Sequence, residues 1–331
     1  MLSNVLLLHF LLHVTPYVAL AGPCEDIGGN WMSKLGAKLE ITHSANGVLS
    51  GKYYKPTDSS RGDSGAHEIV GTLPYNKPGA SFAFSVNWQN GSSTTVWTGQ
   101  CLMCDGKESL ETSWLLKSYV HSCIDKWKST QIGKDVFERK PTSVRTSKEN
   151  SKSTPGEFTG RKCNLNGTWY NDLGSEIILN QTENGIIKGE FRTAVERKKG
   201  SAGKSHSLVY GFGTYGKPNT TFSLVVIWRS GASVTGWVGE CHFCTNNTAM
   251  LQMNWLLRSK VDNCNDVWRS TYYGENTFTR HEQKPGPRKS LGTHTPNRDG
   301  EDADEDIGGS SSLMLSNILF VAVLLSMWIA K

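Results

Sequence analysis

The 331-residue chain has little of what enzymes spell out in sequence. There is no Gly-x-Ser-x-Gly, no His-Glu-x-x-His and no phosphate-binding glycine loop. Carboxylates and histidines are scattered, so no enzyme is expected. Long helical periodicity is missing, which argues against a helical bundle. Net charge is only +5, and basic runs such as Arg197-Lys198-Lys199 fall in expected loops. That is not the aromatic-interleaved basic patch of a nucleic-acid binder, and no nucleic acid is expected as partner. Cys101-x-x-Cys104 and Cys241-x-x-Cys244 lack a second pair at zinc spacing, so no metal or cofactor is expected.

What the chain does have is a repeat. Trp114-Leu115-Leu116-Lys117-Ser118 returns as Trp255-Leu256-Leu257-Arg258-Ser259. Trp88, Gly99, Cys101, Cys104, Cys123, Trp127 and Phe137 return as Trp228, Gly239, Cys241, Cys244, Cys264, Trp268 and Phe278. The offset, 140 to 141 residues, is too long for a solenoid repeat and near the size of one domain. Two copies of one domain are expected.

The two ends carry targeting patterns. Residues 1–22 read as a signal peptide: an apolar run through Leu12, then the small-residue exit Ala19-Leu20-Ala21-Gly22. Near the other end, small polar residues around Gly308–Ser310 lead into an apolar run, Ile318–Ala330, of 13 residues. A membrane-spanning helix needs about 20. This order fits a GPI-anchor signal over 310–331 better than a transmembrane segment. The expected location is the extracellular face of the plasma membrane, through a lipid anchor; a secreted or single-pass protein is the alternative. Sequons at Asn90, Asn166, Asn180, Asn219 and Asn246 agree with an extracellular glycoprotein. The eight cysteines divide four and four between the copies, and an oxidising compartment favours disulfides.

Between the ends, 23–139 and 161–280 are the two domains. Residues 140–160 are Ser/Thr/Lys/Pro-rich and read as a flexible linker. Residues 281–309 read as a disordered stalk. Inside each domain the local signal is β. Ile177-Ile178-Leu179 precedes an Asn184-Gly185 turn and then Ile186 to Phe191. Ser233 to Gly239 alternates small polar with large apolar residues. Short strands between Gly, Asn and Pro turns imply an antiparallel sandwich or barrel.

Each domain holds five tryptophans: Trp31, Trp88, Trp97, Trp114 and Trp127, then Trp169, Trp228, Trp237, Trp255 and Trp268. Trp31 and Trp169 read as core. Ser93 and Thr95 lie close to Trp97, and Ser233 and Thr235 to Trp237, and aromatic walls with a few placed hydroxyls describe a small-molecule pocket. Here the chain resembles a known family. Cys163-Asn164-Leu165-Asn166-Gly167-Thr168-Trp169-Tyr170-Asn171-Asp172-Leu173-Gly174-Ser175 is similar to the first strand of avidins. Val86-Asn87-Trp88 and Ser93 to Cys101 resemble their central strands, and the two Trp-Leu-Leu motifs complete the likeness. It covers essentially both domains. The resemblance implies two eight-stranded antiparallel up-and-down β-barrels in tandem, all-β, that bind biotin and oligomerise.

Carried over position by position, the resemblance assigns two biotin sites. Trp88, Trp97 and Trp114 would wall the first, and Trp228, Trp237 and Trp255 the second, with Leu35, Leu116, Leu173 and Leu257 also at the ligand. Thr95 and Thr235 would contact the ring sulfur, and Ser93 and Ser233 the valerate end. Asp135 and Asn276 would accept a ureido N–H. Trp127 and Trp268 would reach a neighbouring barrel as lids. For the ureido oxygen the second copy keeps Asn171 and Ser175 but has Phe191 for Tyr. The first keeps Tyr53 but has Ser33 for Asn and Ala37 for Ser, and Lys55 where the second has Thr193. A buried carbonyl that loses a donor costs about 1–3 kcal/mol. Both sites should therefore be weaker than a full-complement avidin, the second tighter than the first. Asp135 would partly offset the loss through a charge-assisted hydrogen bond.

The family's disulfide implies Cys24–Cys101 and Cys163–Cys241. Cys104–Cys123 and Cys244–Cys264 would then be an added bridge in each copy, worth about 3 kcal/mol for a loop of about 20 residues. A glycan at Asn90, two residues after Trp88, would obstruct the first mouth or the partner barrel. Arg61-Gly62-Asp63 reads as a solvated loop. The linker would span roughly 25 Å, enough for the barrels to sit side by side, supply each other's lids and build a four-barrel particle from two chains. The rival functions are a structural or adhesive surface protein without tight biotin binding, and a barrel for a different small ligand.

Overall fold

The computed structural model describes residues 24–56, 65–125, 129–140, 161–244 and 247–291. The signal peptide, Arg61-Gly62-Asp63, Trp127, the linker from 141, the Asn246 sequon, the Trp268 side chain, and the stalk and anchor signal beyond 291 lie outside them.

The first domain is a closed barrel: β1 (Gly29–Ser33), β2 (Lys38–His43), β3 (Val48–Tyr54), β4 (Ala66–Thr72), β5 (Ser81–Trp88), β6 (Ser93–Cys104), β7 (Lys107–Ser118) and β8 (Thr130–Arg139). Each strand pairs antiparallel with the next, and β1 closes on β8 with Trp31 opposite Arg139. The second repeats it: β9 (Gly167–Asn171), β10 (Glu176–Gln181), β11 (Ile186–Arg192), β12 (Ser207–Gly213), β13 (Thr221–Trp228), β14 (Ser233–Phe243), β15 (Ala249–Ser259) and β16 (Thr271–Thr279), with β9 closing on β16. Among the described residues no helix is long and apolar enough to cross a membrane.

Trp31 and Trp169 plug the closed ends. Both are fully buried, and their indole N–H groups donate to Ile27 O and Leu165 O, each at 2.8 Å. Arg139 and Arg280 cover the rings at 4.2 and 3.6 Å. The ring is buried and its one donor satisfied, which is what a core tryptophan requires.

The barrels pack side by side. β13 and β14 lie against β5 and β6, which explains why β6 and β14 are buried on both faces. Their odd-numbered residues (Thr95, Trp97; Thr235, Trp237) share the inward face. The even-numbered Val96, Val234 and Val238 face outward into a shared patch with Ala83, Leu115, Val225 and Leu256. Thr94 pairs with Thr221 and Ser85 with Ser223, each at 2.7 Å, which satisfies these four hydroxyls. Lys117, fully buried, lies 2.9 Å from the Glu240 carboxylate of the other barrel. Glu240 also accepts Val120 N–H at 3.0 Å and sits 3.2 Å from His242. Burial alone would push this carboxyl up; His242, Lys117 and the Val120 N–H together hold it below the usual range.

The cysteines correct one expectation. Cys24–Cys101 and Cys163–Cys241 form within their barrels. The other four do not pair within a copy: Cys104 joins Cys264 and Cys123 joins Cys244, across the barrels. Register gives the reason. In the β6–β7 pair Ser93 lies opposite Ser118 and Cys104 opposite Lys107. Cys104 is thus at one end of a 12-residue strand and Cys123, beyond Ser118, at the other, roughly 36 Å away at about 3.3 Å per residue. Each cross-link closes a loop of more than 100 residues; taken singly, the chain-entropy model gives about 5 kcal/mol.

These cross-links also fix orientation. The β7–β8 connection at the open end of the first barrel is fastened to the closed end of the second, and the β15–β16 connection of the second to the closed end of the first. The two mouths face opposite ways, and 264–269, which contains Trp268, is tied to the far end of β6 from Ser93. The barrels thus pack side by side, as expected, with each of these connections fastened through Cys123 or Cys264 to the neighbouring barrel at the end away from its mouth; the expected lid residues Trp127 and Trp268 have side chains outside the described residues.

Residues 281–291 differ from expectation too. They run against the second barrel instead of forming the start of a free stalk, with Ser205 and Ser290 in a parallel bridge.

Candidate binding site

The candidate sites are the open ends of the barrels, and the alternation of each strand decides which side chains reach them. In the second barrel Phe191, Trp228 and Trp237 meet as a cluster, Phe191 edge-on to Trp228 at 5.9 Å and tilted on Trp237 at 5.5 Å. The Trp228 indole N–H donates to Thr235 Oγ1 at 2.7 Å. Trp237 faces Trp255, and Thr235 faces Leu257, across β14 and β15. Trp255 and Leu257 are half-buried, as is Ser233 at the strand start.

The polar floor is oriented before any ligand arrives. Asn171 is buried. Its Oδ1 accepts Leu173 N–H at 3.1 Å and Ser175 N–H at 2.7 Å. Those donors fix which way the amide points, so its Nδ2 is what remains to donate to a ligand. Ser175 Oγ accepts Ala194 N–H at 3.0 Å, so its own proton is what it has left to give. Asn276 Nδ2 donates to Asp172 Oδ1 at 3.2 Å, turning its carbonyl into the acceptor. Asp172 is a partner that sequence reasoning missed; its place directly after Asn171 was the available signal. Thr193 is buried but engaged locally, its Oγ1 donating to Val195 O at 2.7 Å. Leu173 is exposed on the rim.

The first barrel keeps the walls. Tyr53 lies edge-on to Trp88 at 5.7 Å and tilted on Trp97 at 5.1 Å. Trp88 N–H donates to Thr95 Oγ1 at 2.8 Å, and Trp97 pairs in register with Trp114, Thr95 with Leu116, Ser93 with Ser118. The floor is different. Ser33 Oγ accepts Ala37 N–H at 3.1 Å, and Ala37 has no donor to add. Lys55 Nζ sits 4.5 Å over the Trp88 ring, and His67, unforeseen from sequence, packs edge-on to that ring at 4.6 Å. Asp135 is on the same β8 face as the buried Phe137. Burial pushes its carboxyl up to about 6. Burial, and then the Asp135 charge, push the Tyr53 phenol well above its ordinary value. Leu35 is mostly exposed at 76% and stands outside the pocket wall.

Of the sequon residues, Asn90 and Asn180 are exposed, and Asn166 and Asn219 half-buried. Asn90 is in the left-handed turn Gln89–Gly91. That turn abuts the second barrel, with Thr214 Oγ1 donating to Asn90 O at 2.8 Å.

Residues 21–140 and 159–281 both match the Avidin family. The chain belongs to the avidin family. Avidin of Gallus gallus is 36% identical over 134 residues, covering 38% of this chain and 83% of that protein. Fibropellin-1 of Strongylocentrotus purpuratus is 35% identical over 126 residues, 38% of this chain. The chain spans only 12% of fibropellin-1's length. The crystal structure of Xenavidin is 34% identical and is covered completely by 37% of this chain, with a TM-score of 0.34. This avidin-family chain thus carries two avidin-like barrels, and the family is one of binding proteins rather than enzymes.

Proposed function

We propose that the chain is an extracellular biotin-binding protein with two avidin-like sites, the second the tighter. The observation that carries this is the floor of the second pocket. Asn171 and Ser175 each have an acceptor atom committed to backbone N–H groups, which leaves each a side-chain donor for a ligand carbonyl. Asn276 faces the same space as an acceptor, and aromatic walls close it off. That set matches a cyclic urea. Each neutral hydrogen bond made to such a buried carbonyl contributes about 1 kcal/mol, and each one missing costs more. The opposed mouths mean that lids, if the β7–β8 and β15–β16 connections supply them, come from a second chain, which supports a four-barrel particle made of two chains. The four disulfides support an oxidising compartment; the lipid anchor and glycan attachment complete the proposed picture.

Isothermal titration of biotin into residues 23 to about 305, with Trp228→Ala as control, tests this. One or two sites per chain, weakened in the control, are expected. No heat at millimolar biotin would sink it. A structural or adhesive role is the second reading, favoured by the first pocket, where Ala37 offers no donor and Lys55 stacks on the Trp88 wall.

A further inference from the structure

We propose that Arg288 and Lys289, on the segment after β16, are positioning residues for the second pocket: they hold the β11–β12 connection, Thr193–His206, down on the barrel's open end. The inference rests on the biotin reading for its ligand but has its own structural basis.

The segment follows the rim of the second mouth. Gln283 Nε2 donates to Tyr170 O at 2.8 Å and to Thr277 O at 2.9 Å, at the ends of β9 and β16. Arg288 Nε donates to Gly174 O at 2.8 Å, in the turn between Asn171 and Ser175. Its guanidinium also pairs with Glu282, lies 3.9 Å from Glu176 and covers the Tyr170 ring at 5.0 Å. Arg192 Nε donates to Lys289 O at 2.8 Å, and Lys289 N–H to Thr193 O at 3.1 Å. His206 N–H donates to Ser290 O at 2.9 Å. The segment therefore touches the turn that carries both ureido donors and both ends of the 14-residue connection.

Lys289 reaches into that connection as well. Its Nζ is 2.7 Å from Glu196 Oε1. The same carboxylate accepts Gly200 N–H and Ala202 N–H, each at 3.0 Å. That winds the loop back so that Ala202 is buried in the barrel's hydrophobic cluster. A 14-residue connection left to itself samples many conformations, at about 1–2 kcal/mol of entropy per residue fixed. Fastening it at both ends and in the middle removes that cost before ligand binds. The consequence is a mouth that is closed over in advance, which shows as slow release more than as fast binding.

The test uses the full ectodomain with Arg288→Ala/Lys289→Ala, and Lys289→Arg as the conservative variant. Three readouts are taken: biotin release from each pocket, amide hydrogen exchange of 194–206 without ligand, and the melting temperature. The double variant is expected to speed exchange at Gly200 and Ala202 at least tenfold. Release from the second pocket should rise about as much, with the first pocket and the melting temperature unchanged, and Lys289→Arg should restore slow release. If the double variant lowers the melting temperature, Glu196→Gln loosens the same connection from the loop side and is expected to give the same exchange and release. Unchanged exchange and unchanged second-pocket release in these variants overturn the proposal. Should the parent protein bind no biotin, the biotin reading fails alone, and hydrogen exchange still decides the strap.

Discussion

The two barrels share strand order, closure and the Trp–Thr hydrogen bond in each pocket, yet differ wherever they meet something other than themselves. At the pocket floor the second has Asn171, Ser175 and Asn276, and the first has Ser33, Ala37 and Asp135. At their contact the differences are complementary. Val96 in one copy corresponds to Gly236 in the other, and a Cβ on Gly236 would stand 2.6 Å from Val96 Cγ2. Lys117 pairs with the buried Glu240, whereas the equivalent Arg258, also fully buried, corresponds to a partner position held by Gln100 and has no hydrogen bond among the described residues. Burial pushes the Arg258 guanidinium down to about 10, with Glu111 opposing. A duplicated domain that packs on its own copy is not bound to stay symmetric, and each half has become a specific partner for the other.

The largest effect expected from breaking this comparison is at the contact. Lys117→Ala would remove the buried cation beside Glu240, leaving that carboxylate only His242 and the Val120 N–H, and cost about 3 kcal/mol in urea unfolding. Arg258→Met, at the equivalent position, would be close to neutral or stabilising, because it removes a poorly satisfied buried charge. Equal losses for the two would show the contact to be symmetric after all. Next come the floors. Asn171→Ala should weaken the second site by about 1–3 kcal/mol in titration, while Ser33→Asn with Ala37→Ser should strengthen the first by a similar amount. Third, the sites should part with pH. Asp135 has its folded pKa raised, so it takes up a proton as pH falls through about 6. The carboxylate proposed to accept a ureido N–H is lost there, and first-site affinity should drop by up to about tenfold per unit below pH 6. The second site, with neutral Asn276, should stay flat, and Asp135→Asn should flatten the first. By linkage, the same raised pKa makes ligand-free stability rise as pH falls from 6 toward 4. The smallest effect is Phe191→Tyr, which restores a third donor and should tighten the second site about fivefold in competition binding.

Much of the pocket was legible because its residues recur at fixed spacing and alternate along single strands. Trp88 with Thr95, and Trp228 with Thr235, are seven residues apart and needed only the hairpin between them to meet. Leu35 and Leu173 were harder: they are in turns, where spacing says little about facing, and both are exposed, Leu173 on the rim and Leu35 outside the pocket wall. The cysteines were misjudged because about 20 residues separate Cys104 from Cys123 in sequence. That short separation spans the whole length of β7. Asp172, His67 and the 281–291 segment carried no periodic signal at all.

From sequence alone follow the duplication, the all-β strands, the closed-end tryptophans, the pocket walls and the uneven floors. All of these depend on residue type and on neighbours within one barrel. Tertiary structure decided how the barrels face, which cysteines join them and what covers the second mouth. Those contacts join residues more than 80 positions apart in the chain. Alternation says that an outward face is apolar, but only packing says which surface buries it.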